Sequence, residues 1–396
     1  MKILYDAQIF ESQKIGGISR YFFELLSSFE KTGDVDVCLP IRYSDNVYLH
    51  QLKSINGNVA SLPLKPNHYR NFFWGKEFRG KQKLYGIKKK IFPDPSEQNP
   101  QKQNQELAVQ KIKEGNFDLF HPTYYDNYFL DLIGDKPFVI TVYDLIHQIF
   151  PEFLIYDTRD KNREILGKAK KIIAISESTK RDLVTLFEIP EDKVVVTYLA
   201  NSLSVDRSIV REEFKSKVPV YYILFVGTRG GYKNFLFFVQ VISSLFQQEK
   251  DLHVVCTGSA FTQDELFFLS RLGFRDRFTS LFVDDAELTY LYKNAVAFIF
   301  PSQYEGFGLP ILEAMNCGCL ALLSNTSSLP EVGGDAAIYF APKDPTSLVG
   351  AIKTALYNQQ ERVEKIKLGY EQVKKFSWEK LCLETVKIYQ DVLRTN

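Results

Sequence analysis

Residues 301–318 read PSQYEGFGLPILEAMNCG and place two glutamates, Glu305 and Glu313, eight positions apart. Between them lie Gly306 and Gly308, the aromatic Phe307, and Pro310. The preceding AVAFIF reads as a buried strand. Residues 301–308 are then the loop at its C-terminal end, and LPILEAMNCG is the next helix, with Pro310 suited to the first turn. Glycines let backbone N–H groups approach a ligand closely, and a helix N-terminus favours an anion. A phosphate suits such a place. Glu305 would stand at the mouth of a cleft, and Glu313, roughly two turns down the helix, could accept hydrogen bonds from a ribose. The same residues also suit a capped loop with a solvated glutamate.

The elements that must position these groups are a strand, a glycine loop and a helix, and the chain writes that unit repeatedly. KILYDA opens as a short buried strand. GGISRYFFELLSSFEK follows, with apolar residues at Ile18, Phe22, Leu25, Leu26 and Phe29 in helical spacing. DVDVCLP is the next strand. FDLFHPTYY, PFVITVYDLIH and KKIIAISEST give three more strand-to-loop passages, and KVVVTYLA closes the first half. The proline-rich PDPSEQNPQKQNQ reads as a mobile loop. The pattern then restarts at VPVYYILFVGTRGGYKNF and runs on through LHVVCTGSA, AVAFIF and AAIYFAPKDPTSLVGAIKTALYN. The expectation is an α/β chain of two doubly wound, Rossmann-like domains, residues 1–205 and 206–375, with a polar linker near 200–218. FSWEKLCLETVKIYQDVL is an amphipathic helix, and residues 376–396 are expected to cross back to the first domain. Ligands of open parallel sheets bind beyond the C-terminal strand ends, so two such domains facing each other would enclose a cleft.

Composition agrees with a soluble globular protein. The 396 residues are 45% hydrophobic and 24% charged, and the length suggests two domains. A net charge of +1 gives no field that would select nucleic acid, which is not expected as a partner. The five cysteines have no framework spacing, and Cys317 and Cys319 are one residue too close for common zinc sites, so no metal is expected. MKILYDAQIF has no apolar leader pattern, and no run of about 18 apolar residues occurs. The expected location is therefore cytoplasmic.

EGFGLPILE resembles the E-x7-E signature of family 4 glycosyltransferases, retaining enzymes of the GT-B fold. The likeness extends to GGISRYF, ITVYDLIHQIFP, FVGTRGGYKN, ELTYLYKNAVAFIFPSQYEGFGLP and NTSSLPEVGGDAAIYFAP, in that order along most of the chain. The resemblance implies a nucleotide-sugar donor held mainly by the second domain and an acceptor held mainly by the first. By position, Glu305 resembles the glutamate beside the donor sugar, and Glu313 the one that holds the ribose. The backbone of Gly306, Phe307, Gly308 and Leu309 would lie against the diphosphate and sugar, with Val283 and Asp284 flanking the base. In VGTRGGYKN, Arg229 and Lys233 would face the leaving diphosphate, where cations stabilise charge that grows as the glycosidic bond breaks. Gly16 and Gly17 would let the facing loop approach the donor phosphate or the acceptor.

The family often has His-Asp where this chain has Tyr143 and Asp144. Asp144 remains to orient or deprotonate an acceptor hydroxyl, and His147, three residues on, is the candidate to replace the histidine. His121 also follows a predicted strand. The catalytic set is then Glu305, Asp144, His147 and Lys233, with no cofactor and no metal required. The implied reaction is retaining transfer of a hexose, from GDP-mannose or a UDP-hexose, to a hydroxyl of a glycan or lipid-linked acceptor in surface polysaccharide assembly. A nucleotide-sugar-binding regulator or partner subunit on the same fold is the alternative. Residues 65–90 carry nine Lys or Arg against the single acid Glu77, with Phe72, Phe73, Trp74 and Tyr85 interleaved. That composition suits an anionic membrane surface and peripheral attachment, and equally a solvated excursion.

Overall fold

The structure, a computed structural model, describes residues 1–52, 59–62, 99–153, 159–205 and 210–395. The basic segment 65–90 lies outside the described residues, as do positions 206–209 of the expected linker. The chain packs as two compact units, Met1–Ile140 with Tyr389–Asn396, and Thr141–Ile388.

In the first unit, β1 (Lys2–Tyr5), β2 (Asp36–Cys38) and β3 (Leu119–His121) form a parallel sheet in the order β2-β1-β3. Ile3 pairs with Val37 on one side and Leu119 on the other. The helix Gly17–Thr32 buries Tyr21, Phe22, Leu25, Leu26 and Phe29 and ends at Gly33 in the left-handed region. The polar stretch expected as a mobile loop is corrected in its second half: residues 100–105 are the first turns of the helix Pro100–Glu114. Asn99 explains the start. Its side-chain oxygen accepts from the N–H groups of Gln101 and Lys102, and Pro100 occupies a first-turn position where a missing N–H is no loss. The helix Trp378–Arg394 brings Tyr389 into this unit, where its hydroxyl meets His121 Nδ1 at 2.6 Å and the Tyr5 hydroxyl at 2.9 Å.

β4 (Val139–Val142) carries the chain from the first unit into the second, where β5 (Lys171–Ala174) and β6 (Val194–Val196) continue in the order β4-β5-β6. The third sheet is six-stranded and parallel. Its strands are β7 (Tyr222–Phe225), β8 (His253–Thr257), β9 (Phe278–Leu281), β10 (Ala297–Phe300), β11 (Ala321–Ser324) and β12 (Ala337–Phe340), in the order β12-β11-β10-β7-β8-β9. The central strands β7, β10 and β11 are buried along their whole length. Helices cover both faces of such a sheet, so its inner strands read as unbroken apolar runs. Phe225, Phe235, Phe238, Ile299 and Leu322 anchor the core. The loops that follow β7 and β10, adjacent strands in this sheet, carry the candidate chemistry.

Candidate active site

After β10 the chain turns through residues 301–308 into the helix Leu309–Asn316. Gly308 has φ 102°, a conformation that a side chain would strain, and it starts the helix with Pro310 in the first turn. The Ser328 hydroxyl lies 2.9 Å from the carbonyl oxygens of both Glu305 and Phe307, and the Glu305 N–H donates to Ser327 Oγ at 2.9 Å. Ser176 caps the helix Glu177–Phe187 and also donates to the Gly306 carbonyl at 2.6 Å. Gly306 has no room for a side chain: a Cβ there would fall 1.9 Å from the Tyr143 carbonyl oxygen and 2.9 Å from Asp144 Cβ. The loop is therefore held from two sides, by the residues after β4 and by those after β5.

Lys233 comes from the loop after β7. Gly227 at φ 109° releases that loop, and Asn234 at φ 59° ends the short turn Gly231–Lys233 and starts the helix Phe235–Ser243. The Gln303 N–H donates to the Tyr232 carbonyl at 2.7 Å, joining the β7 and β10 loops directly. Across that junction Lys233 Nζ lies 2.6 Å from Glu305 Oε1. The ammonium also sits about 5 Å from the Phe300 and Tyr232 rings, at 5.1 and 5.2 Å. Burial pushes the Glu305 carboxyl above the usual range; the Lys233 ammonium opposes the shift and the Asp144 carboxyl adds to it. Burial likewise raises Asp144, against the Ile146 N–H and the charges of His147 and Lys233. His147 is exposed, on the short helix Ile146–Ile149. Lys233, Glu305, Gly306 and Asp144 are thus brought together, with His147 near enough to act on Asp144.

The remaining candidates each have contacts of their own. Arg229 is spent on its own surroundings: Nε donates to Glu265 Oε1 at 2.8 Å, and Nη2 to the carbonyls of Ser259 and Ala260 at 2.8 and 2.9 Å. Its guanidinium is 4.7 Å from the centre of the Phe261 ring, and its side chain is only 4% exposed. That geometry anchors the loop. Asp284 begins the helix Asp285–Asn294 in a reciprocal cap with Glu287, and the half-buried Val283 precedes it. Glu313 is half-buried about one turn into the helix Leu309–Asn316, not two, because the helix starts only at Leu309, and it accepts from the Tyr292 hydroxyl at 3.2 Å. Gly16 and Gly17 belong to the first unit, where the Gly16 carbonyl accepts from the Arg20 N–H and Gly17 opens its helix. His121 is fully buried against Tyr389, and burial brings it down to about 3.

Three groups that hold the site went unassigned in the sequence. Glu331 accepts from the N–H groups of Glu177 and Ser178 at 2.7 and 3.2 Å, the Tyr304 hydroxyl donates to Asp182, and Ser327 and Ser328 hold the glycine loop. Tyr304, Ser327, Ser328 and Glu331 at least belong to the motifs 301–318 and 325–342, whereas Asp182 lies in neither. Among the described residues there is no group of three or more His, Cys, Asp or Glu that could hold a metal, and no helix long and apolar enough to cross a membrane.

Residues 15–200 match the family model for Glycosyltransferase Family 4, and residues 206–372 the one for Glycosyl transferases group 1. O-antigen chain mannosyltransferase B of Escherichia coli is 33% identical over 272 residues, 64% of this chain and 70% of that protein. O-antigen chain mannosyltransferase RfbU of Salmonella typhimurium is 27% identical over 245 residues, 61% of this chain and 66% of that one. Among solved structures, Anabaena Alr3699/HepE in complex with UDP superposes with a TM-score of 0.69 at 15% identity, covering 99% of this chain and 100% of that one. The parallel α/β sheets, an E-x7-E loop and helix, and both matched family models lead to one conclusion: the chain belongs to the family 4 glycosyltransferases and has their GT-B fold of two Rossmann-like domains.

Proposed function

We propose that this chain is a retaining hexosyltransferase that moves mannose from GDP-mannose to a hydroxyl of a glycan or lipid-linked acceptor in surface polysaccharide assembly. A UDP-hexose is the second choice of donor. The observation that carries the reading is the Lys233–Glu305 pair at 2.6 Å, set where a glycine loop meets a helix start. Lys233, with backbone N–H groups of the 306–309 loop, would meet the diphosphate oxygens as they gain charge. Glu305 would lie beside the donor sugar, and Glu313 would accept from the ribose. Asp144, with His147 beside it, would orient the attacking hydroxyl; its pKa, raised by burial, suits a group that exchanges a proton. The leaving diphosphate would assist on the same face, so retention needs no protein nucleophile, and these fixed charges take the part a metal would otherwise play. Two relatives named as O-antigen mannosyltransferases support the sugar and the setting. A neighbour solved with UDP supports a nucleoside diphosphate as leaving group. Attachment to an anionic membrane surface through residues 65–90, on the cytoplasmic face, completes the proposal. The test is incubation with GDP-mannose or UDP-hexoses and a panel of glycan acceptors, with and without a chelator, followed by NMR of the product. An α-linked mannoside formed in chelator supports the reading; an inverted product, or none with any donor, overturns it.

A further inference from the structure

The first unit contains a cavity of about 590 Å³ beyond the C-terminal ends of β1 and β3, within the roughly 300–1,000 Å³ typical of small-molecule sites. Its floor is tightly built. Asp6, buried at the end of β1, accepts from the N–H and hydroxyl of Thr123 at 2.9 and 2.8 Å, from Gln8 Nε2 at 2.7 Å and from the Tyr128 hydroxyl at 3.2 Å. Those bonds fix the strand ends and use up the Asp6 oxygens. Glu11 is different. It lines the same cavity and is half-buried, its carboxyl meets Asn104, and no cation lies within salt-bridge distance of it among the described residues. Tyr124, 38% exposed, lines another part of the wall. Among the described residues, the charged groups facing the space are Asp6, Glu11 and Asp126 against Lys102, and Lys102 lies 3.8 Å from Glu106.

We propose that this cavity binds an uncharged sugar unit of the acceptor, with its hydroxyls donating to the Glu11 carboxylate and an apolar ring face against Tyr124. The chemistry selects that class. A half-buried carboxylate without a cation gains most from hydroxyl donors, since each hydrogen bond to a charged oxygen is stronger than a neutral one. The acid excess repels phosphate and carboxylate ligands. A flat ring beside polar groups suits a ligand that is amphipathic like a pyranose. Burial raises Glu11 to about 7, so the carboxylate form that accepts two donors predominates above that pH. This inference rests on the glycosyl-transfer reading.

The experiment is ligand-observed NMR titration of the full chain above the Glu11 titration range. The probes are the methyl α-glycosides of mannose, glucose, galactose and N-acetylglucosamine, with mannose 6-phosphate as the anionic counterpart. At least one neutral glycoside should bind and mannose 6-phosphate should bind less well than methyl mannoside. Glu11→Gln should weaken the neutral ligand by about tenfold or more, and Tyr124→Ala should weaken it too. The proposal is overturned if no neutral glycoside binds, if the phosphorylated sugar binds better, or if both variants stay within about twofold of the parent. GDP and UDP titrated on the same samples separate the two readings. Nucleotide binding without glycoside binding removes the cavity assignment and leaves the transferase. Glu11-dependent glycoside binding without nucleotide binding upholds the cavity and counts against the donor site.

Discussion

Lys233 Nζ and Glu305 Oε1 are 2.6 Å apart, although the two residues are 72 positions apart in sequence, and their side chains are only 15% and 10% exposed. Each charge is the other's main compensation in a poorly solvated place. Removing one partner of such a pair costs about 3–5 kcal/mol, whereas removing both together costs much less. Lys233→Ala should therefore lower stability in urea melts more than the double variant Lys233→Met with Glu305→Gln. Activity should not follow stability. Both variants should lose about 10²–10³-fold in kcat, because a positioned charge facing the leaving group is gone.

Arg229 gives the opposite split. Its donors are committed to Glu265 and to the Ser259 and Ala260 carbonyls. Arg229→Ala should cost about 3 kcal/mol or more by leaving Glu265 without its partner, seen as a lower urea midpoint. Nucleotide affinity below the melting range should change less than in Lys233→Ala. An unchanged midpoint with lost affinity would place Arg229 at the ligand instead.

At Gly306→Ala the new methyl would meet the Tyr143 carbonyl, so the backbone must move. A cost of about 1–3 kcal/mol is expected, with a fall in kcat because the same loop carries Glu305. Gly167 is the control: a Cβ there meets nothing, and Gly167→Ala in the helix Arg159–Lys168 should hold or slightly raise the melting temperature.

The first unit should show two opposite pH signatures. Burial lowers His121 from 6.5 to about 3, so its contribution is complete above pH 6.5 and is lost as pH falls through that window. Glu11 is raised from 4.5 to about 7, so its contribution is complete below 4.5 and is lost as pH rises through 7. Melts across pH should show Glu11→Gln gaining on the parent toward neutral pH. His121→Phe should remove part of the loss on the acid side.

Much of the second unit was legible because parallel strands buried on both faces leave continuous apolar runs. AVAFIF and YYILFV gave β10 and β7, the strands whose loops carry Glu305 and Lys233. β9 (Phe278–Leu281) was not singled out: it is an edge strand, three of its four residues are only partly buried, and its FTSL sequence has no apolar run. The helical start at Pro100 was missed because Gln, Lys and Asn look like loop residues, while Asn99 as cap and Pro100 in the first turn were the informative pair. Spacing could place Arg229 near Lys233 but could not show that Glu265, 36 residues on, claims it. Nor could it show Glu331 reaching the helix start at Glu177 across 154 positions. Such pairings are set by tertiary packing, which local pattern does not carry.

The most direct measurement is thermal unfolding of the purified chain with GDP, UDP, ADP and CMP, without added metal. A ligand that binds only the folded state raises the melting temperature by mass action. One nucleoside diphosphate should give a saturable rise that disappears in Lys233→Ala and in Glu313→Ala, each compared with its own unliganded melt. No rise with any nucleotide, or a rise that survives both substitutions, would contradict a donor site built on Lys233, Glu305 and Glu313.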